Sequence, residues 1–353
     1  MMITLTQIRK ELESCKKPLF FFHDDADGLA SFLLLYRYVN EGRGMVIKTN
    51  SGLDEAFVRR VEEYSPDKVF ITDFSRVKDV FLENVKVPII WIDHHPITED
   101  IADVLKMNNV KYYNPRVKTP DKNIPATKIC YDIVKQDLWI GAVGTIGDWV
   151  FIPSFMKKVN KEFPKLLSKD IKMPGDALFS SKFGLLARIF ATMLKGQISE
   201  INKCIKILTR IKSPEEILNQ TTPQGSFIFK RYSKLNQAYV LLLERAKKQV
   251  SKDKLFVFSY TSFGESFTGA LSNELLYLYP KKVAIIAREK SGEMRCSLRS
   301  PPEISVSDML EKSLIGLDGK GGGHPQSCGC NVKIEQWAEF IENMKRELKK
   351  QVE

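Results

Sequence analysis

Histidine is scarce in this chain, four among 353 residues, and none is left over for ordinary packing. Cysteine is sparse too: Cys15, Cys130, Cys204, Cys296, Cys328 and Cys330 are scattered, which excludes a disulfide-framed secreted scaffold in so long a chain. Only Cys328-Gly329-Cys330 is a close pair. Without a second pair it excludes a zinc finger and reads as two thiols beside a glycine turn. No apolar run approaches the ~20 residues of a membrane helix, and the N-terminus lacks a secretory-signal pattern. The expectation is an intracellular, cytoplasmic protein without membrane contact. Neither an internal repeat nor a low-complexity tract is present, so solenoid and disordered classes fall away.

What is present is a folded composition, 43% hydrophobic and 27% charged, long enough for two domains with a core each. The net charge is +11, and the excess Lys and Arg collects in 156–172 and 195–254. A basic surface suits a polyanionic substrate, although the same lysines also serve solubility and are common in thermophile proteins.

The chain alternates between two periods. Residues 18–22, 45–48, 68–71 and 87–92 are short apolar runs of strand type, and 29–39 and 53–64 are amphipathic helices between them. That alternation predicts an α/β fold with a doubly wound parallel sheet, in which ligands collect at the carboxyl ends of the strands. Residues 125–150 read as a helix followed by a small-residue segment, 141–147, which would let a helix pack closely and bring Asp148 inward. Residues 155–250 read as helical and basic. A second alternation begins at Lys254: strand 255–261, helix 266–279, strands 282–288 and 293–299, helix 305–315, a glycine loop 319–324 and a closing helix 334–351. The expected layout is bilobed: a first domain over 1–155, a helical end and connector over 156–250, and a smaller α/β domain over 251–353.

The histidines fall in His23-Asp24-Asp25-Ala26-Asp27-Gly28, Asp93-His94-His95-Pro96 and Gly321-Gly322-Gly323-His324. In an extended segment after a strand, His23, Asp25 and Asp27 would point the same way, with Asp24 a bystander. The bland alternative is an acidic cap on helix 29–39, work that a single Asp does. Asp73 ends its own apolar run; alone it reads as a turn residue, but beside the first strand its carboxylate could bridge two ions. After Asp93, one imidazole can ligate while the next reaches substrate, and Asp93 can hold a ring nitrogen from behind. Asp148 on local grounds is a helix cap. Imidazole with carboxylate suits manganese, zinc or iron, and paired ions of this kind cleave phosphate esters. The glycine–histidine loop could wrap a phosphate with N–H groups, and Arg299 could fork one; Arg295 reads as a solvated surface residue. An exposed aromatic among Tyr260, Phe263 and Phe267 could stack on a base.

At these motifs the chain resembles the DHH phosphoesterase superfamily. Residues 23–31 resemble its first motif, and Asp73, Asp93-His94-His95 and Asp148 its second, third and fourth. Residues 294–300 with 321–329 resemble the DHH-associated C-terminal domain, with Ser327-Cys328-Gly329 replacing the family's Ala-Ala-Gly. His23 stands two residues before Asp25, a spacing more like RecJ-type exonucleases, archaeal ones especially, than like the small-substrate branch, which places its His four before. The resemblance implies a bilobed hydrolase with two divalent ions, usually Mn2+, with Mg2+, Co2+ or Zn2+ as alternatives. It implies His23, Asp25 and Asp73 on one ion, and Asp27, Asp73, His94 and Asp148 on the other. His95 would act at the scissile phosphate, with Asp93 behind it, while Arg299, Gly322, Gly323 and His324 grip substrate. The implied activity is exonucleolytic release of nucleotides from an end of single-stranded DNA or short RNA, with a replication or repair protein as a possible partner. Alternatives are a small-substrate enzyme acting on oligoribonucleotides, nucleoside bisphosphates or cyclic dinucleotides, and a nonhydrolytic scaffold binding nucleic acid or a replication protein.

Overall fold

The structure is a computed structural model and describes residues 2–48, 52–97, 101–261 and 264–352. The chain divides into two compact units, Met1–Tyr232 and Ser233–Glu353, with the division inside a single helix, Pro223–Lys248.

In unit 1 the apolar runs form five parallel strands, Leu19–His23 (β1), Arg43–Ile47 (β2), Val69–Thr72 (β3), Ile89–Ile92 (β4) and Val110–Tyr113 (β5), ordered β2-β1-β3-β4-β5. The first four were expected; β5 was not. Alternate residues feed two cores, as a sheet covered on both faces requires. Phe20, Phe22, Phe70 and Ile90 pack with helices that include Ala26–Val39 and Leu138–Gly147. Leu19, Phe21, Ile71 and Trp91 pack on the other face with Val58, Val61 and Phe81. The expected 125–150 helix is two, Ala126–Val134 and Leu138–Gly147, broken where Lys135 and Asp137 adopt φ of 55° and 52°. The stretch after it is helical, as its pattern indicated. Among the described residues no helix is long and apolar enough to cross a membrane.

Unit 2 is a smaller α/β layer. Leu255–Thr261 (β6), Val283–Lys290 (β7), Glu293–Arg299 (β8), Gly319–His324 (β9) and Ser327–Lys333 (β10) form one mixed sheet ordered β6-β7-β8-β10-β9. The glycine segment 319–324 is therefore an edge strand paired antiparallel with β10, not a loop. Glycine carries no side chain to signal a strand, and the pairing comes from residues later in the chain. Cys328 and Cys330 lie within β10 with both side chains buried, rather than beside a turn, and all six cysteines are free.

Candidate metal centre

A parallel sheet of this order has its switch point between β1 and β3, where the chain leaves in opposite directions and a crevice opens at the strand ends. His23 is the last residue of β1, Asp73 follows β3, and Asp93-His94-His95 follows β4. Three elements thus deliver their polar residues to one place because their apolar runs end there.

Local geometry sets the rest. Asp25 caps helix Ala26–Val39, its Oδ1 accepting from Gly28 N at 2.9 Å, while its Oδ2 lies 2.7 Å from His23 Nδ1. The capping alternative and the cluster are therefore both realised by one side chain. Asp27 is in the first helical turn, not in an extended segment, so alternation is not what points it inward. It is 1% exposed, and its two oxygens accept from Ala126 N and Thr127 N at 2.8 Å, at the start of helix Ala126–Val134. Asp73 has φ 56°, a left-handed conformation that turns its carboxylate toward both histidine clusters. Its Oδ1 is 3.1 Å from His94 Nε2 and its Oδ2 3.5 Å from His23 Nδ1. Asp148 stands at the C-cap of helix Leu138–Gly147, with Oδ2 3.8 Å from His94 Nδ1. Small residues let that helix in: a Cβ on Gly144 would meet Thr127 Oγ1 at 2.1 Å, and one on Gly147 would meet Ala26 Cβ at 2.6 Å. Asp24 faces Lys48 Nζ at 3.5 Å.

Two groups form in which one ligand-type atom per residue lies within 4.8 Å of the others: His23, Asp25, Asp73, and Asp27, His94, Asp148. His95 joins Asp73 and His94 in a third, while its Nδ1 sits 2.7 Å from Asp93 Oδ1. Electrostatics follow from burial and proximity. Burial alone would lower the His23 and His94 pKa values, but Asp25 and Asp73 around the first, and Asp148, Asp73 and Asp27 around the second, hold both well above the usual imidazole value. For His95, burial is likewise outweighed, by Asp93. Burial would raise Asp73, but the imidazoles of His23 and His94 beside it hold it far below the carboxylate range. Burial pushes Asp148 up to about 7, and raises Asp27 with help from Asp73 and Asp148. Asp73 Oδ2 and Asp148 Oδ2 are buried with no hydrogen-bond donor. Buried carboxylate oxygens without donors are costly, and a cation relieves them; the mixed nitrogen and oxygen donor set fits Mn2+ or a similar ion.

Residues without a sequence signal complete the support. Asn123 Oδ1 lies 3.1 Å from His94 Nδ1, Arg116 Nε donates to His94 O at 2.7 Å, and Asn114 Nδ2 donates to His95 O at 2.9 Å. In unit 2, Arg299 is half-buried, desolvation draws its pKa down to about 10, and its Nε donates to Asn273 Oδ1 at 2.7 Å. Gly322 and His324 are exposed on β9, and Gly323 has φ 151°. Tyr260 and Phe267 are 4% and 7% exposed, so neither offers a stacking face. Phe263 lies outside the described residues.

Residues 256–350 match the family model of the DHHA1 domain. No curated protein matches the sequence. Among solved structures the chain is similar to RecJ from Thermus thermophilus in complex with Mn2+, with a TM-score of 0.69 and 15% identity over 97% of this chain and 54% of that one. It thus spans about half the length of that protein. It is similar to exonuclease RecJ bound to manganese (TM-score 0.64, 15% identity, 98% and 94% covered). It is similar also to PggH, a pGpG-specific phosphodiesterase from Vibrio cholerae (TM-score 0.54, 15% identity, 95% and 100% covered). The fold is that of the DHH phosphoesterases. Residues 256–350 carry the DHHA1 domain, and the likeness to RecJ extends the shared fold over nearly the whole chain.

Proposed function

We propose that the protein is a manganese-dependent phosphodiesterase that removes nucleotides from an end of single-stranded DNA or short RNA. The observation that carries this reading is the buried cluster in which Asp73 Oδ2 and Asp148 Oδ2 face imidazoles and carboxylates without a donor of their own. His23, Asp25 and Asp73 would hold one ion, and Asp27, Asp73, His94 and Asp148 the other. Such a pair, when bound, supplies an activated water and neutralises charge developing on the phosphate.

The side chains have separable roles in this reading. If His94 gives its Nδ1 proton to Asn123, its Nε2 lone pair faces Asp27 and Asp73, which is the ligand tautomer. His95, tied through Nδ1 to Asp93, keeps Nε2 for a phosphate oxygen or for giving a proton to the leaving oxygen. Arg299, Gly322, Gly323 and His324 would bind the strand, and the +11 charge would draw it in.

Asp27→Ala is expected to abolish manganese-dependent release from an end-labelled strand of ~20 nucleotides while strand binding persists. Full activity in that variant would refute the assignment. Faster turnover of a dinucleotide than of the strand would instead select the small-substrate reading. Strand binding without release by the native chain, with or without chelator, would select the scaffold.

A further inference from the structure

Along β8, Arg295, Ser297 and Arg299 share one face, opposite Met294, Cys296 and Leu298, which enter a core. Register carries that face across the sheet. Arg299 stands opposite Ser327, and Ser327 opposite His324. Two residues along, Ser297 stands opposite Gly329, and Gly329 opposite Gly322. Two further, Arg295 stands between Arg288 on β7 and Asn331 on β10, and Asn331 is opposite Lys320 on β9.

Across β10 and β9 the face therefore has a first polar rung, a rung of two glycines, and a second basic rung, while on the middle rung β7 contributes the buried Ile286 and Ser297 of β8 donates to Thr268 Oγ1 at 3.0 Å. Its two glycines are open backbone: a Cβ on Gly322 would meet nothing within 4 Å, and one on Gly329 would meet only Cys296 O, at 3.7 Å. On the second basic rung, Arg288 is 6% exposed and its Nε has no hydrogen-bond partner. A buried guanidinium donor without an acceptor is unfavourable until an anion supplies one. Arg295 and Lys320 are exposed, and Arg295 touches Glu293 at 3.3 Å.

We propose that Arg288, Arg295, Asn331 and Lys320 form a second backbone-phosphate site, which makes unit 2 select strands longer than a dinucleotide. The inference rests on the strand-cleaving reading and deepens it. From Arg299 to Arg295 is four residues of strand, ~13 Å. A nucleotide adds six backbone bonds, at most about 7 Å, so the two outer rungs are about two nucleotide steps apart. The intervening phosphate lies over the glycine rung, where the backbone is open to close approach. A dinucleotide cannot reach both rungs.

The test uses the full chain, with chelator present so that nothing is cleaved, and fluorescence anisotropy on a labelled dinucleotide and decanucleotide. The double variant Arg295→Ala/Lys320→Ala alters two exposed side chains and leaves the cores intact. It is expected to lower the decanucleotide-to-dinucleotide affinity ratio about 10-fold and to flatten the decanucleotide salt slope by about 1.4. Gly329→Val, which fills the glycine rung at a strand position suited to Val, is expected to weaken the decanucleotide as well. An unchanged ratio in the double variant, or no decanucleotide binding by the native chain, overturns the proposal. Turnover with manganese reads separately. A shifted ratio with no release by the native chain keeps the second phosphate site and sinks the hydrolase; release with an unshifted ratio does the reverse.

Discussion

Asp73 is the acid that touches a histidine from each of the two N-terminal clusters, and it does so from a left-handed backbone, φ 56°. That conformation costs on the order of 1 kcal/mol for a side chain with a Cβ, less for Asp than for most. Asn accepts it equally well, so Asp73→Asn removes charge without moving the turn. Excess Mn2+ is expected to raise the native melting temperature through linkage, and the variant is expected to lose most of that rise in a thermal melt. Retention of the full rise would exclude the Asp73 carboxylate as a ligand. At this scale much was legible. A His or Asp after an apolar run marks a strand end, which is why His23, Asp73 and Asp93 could be read. Asn123 could not, because its partner His94 lies 29 residues away and no periodicity leads to it. Asp27 was placed by the wrong geometry, since an N-terminal helical turn and an extended segment look alike over so short an acid-rich run.

Among the elements, helix Leu138–Gly147 decides how close Asp148 comes. Gly144 meets Thr127 and Ala30, and Gly147 meets Ala26, on helices that begin beside the site. A valine at Gly144 must displace a neighbour, which costs ~2 kcal/mol in a packed core. Gly144→Val is therefore expected to lower the urea midpoint and, because Asp148 rides the same helix, to weaken Mn2+ in a titration. A native midpoint would show that the helix shifts freely. The close approach was legible from the run of small residues. Strand β9 was not, since an edge strand of Gly and Lys has neither alternation nor bulk. Helix Leu5–Glu13 was likewise unread: only Ile8 and Leu12 are buried, too few to stand out in a charged nonapeptide.

Over the whole molecule, that unread helix braces unit 1. Glu11 receives Lys68 Nζ at 2.7 Å, just before β3, and pairs also with Lys111 of β5. Burial would raise the Glu11 pKa, but the bonds from Lys111 and Lys68 bring it below the usual value. A carboxylate so lowered contributes stability that is present above its unfolded pKa and is lost as pH falls through the folded one. Glu11→Gln is thus expected to cost ~1 kcal/mol at pH 7, with the gap to the native chain closing as pH drops below about 4.3. Urea titrations at both pH values check it; a gap that widens in acid would reverse the sign. The two-unit plan was legible in the double alternation, but the division within Pro223–Lys248 was not, because a continuous helix carries no boundary signal. Tyr239, Leu243 and Ala246 of that helix pack with Phe256 and Phe258 of β6. A recombinant fragment starting at 251 would leave those phenylalanines bare and prone to aggregate, whereas one starting at 233 brings its own cover and is the piece to express for crystallisation or screening.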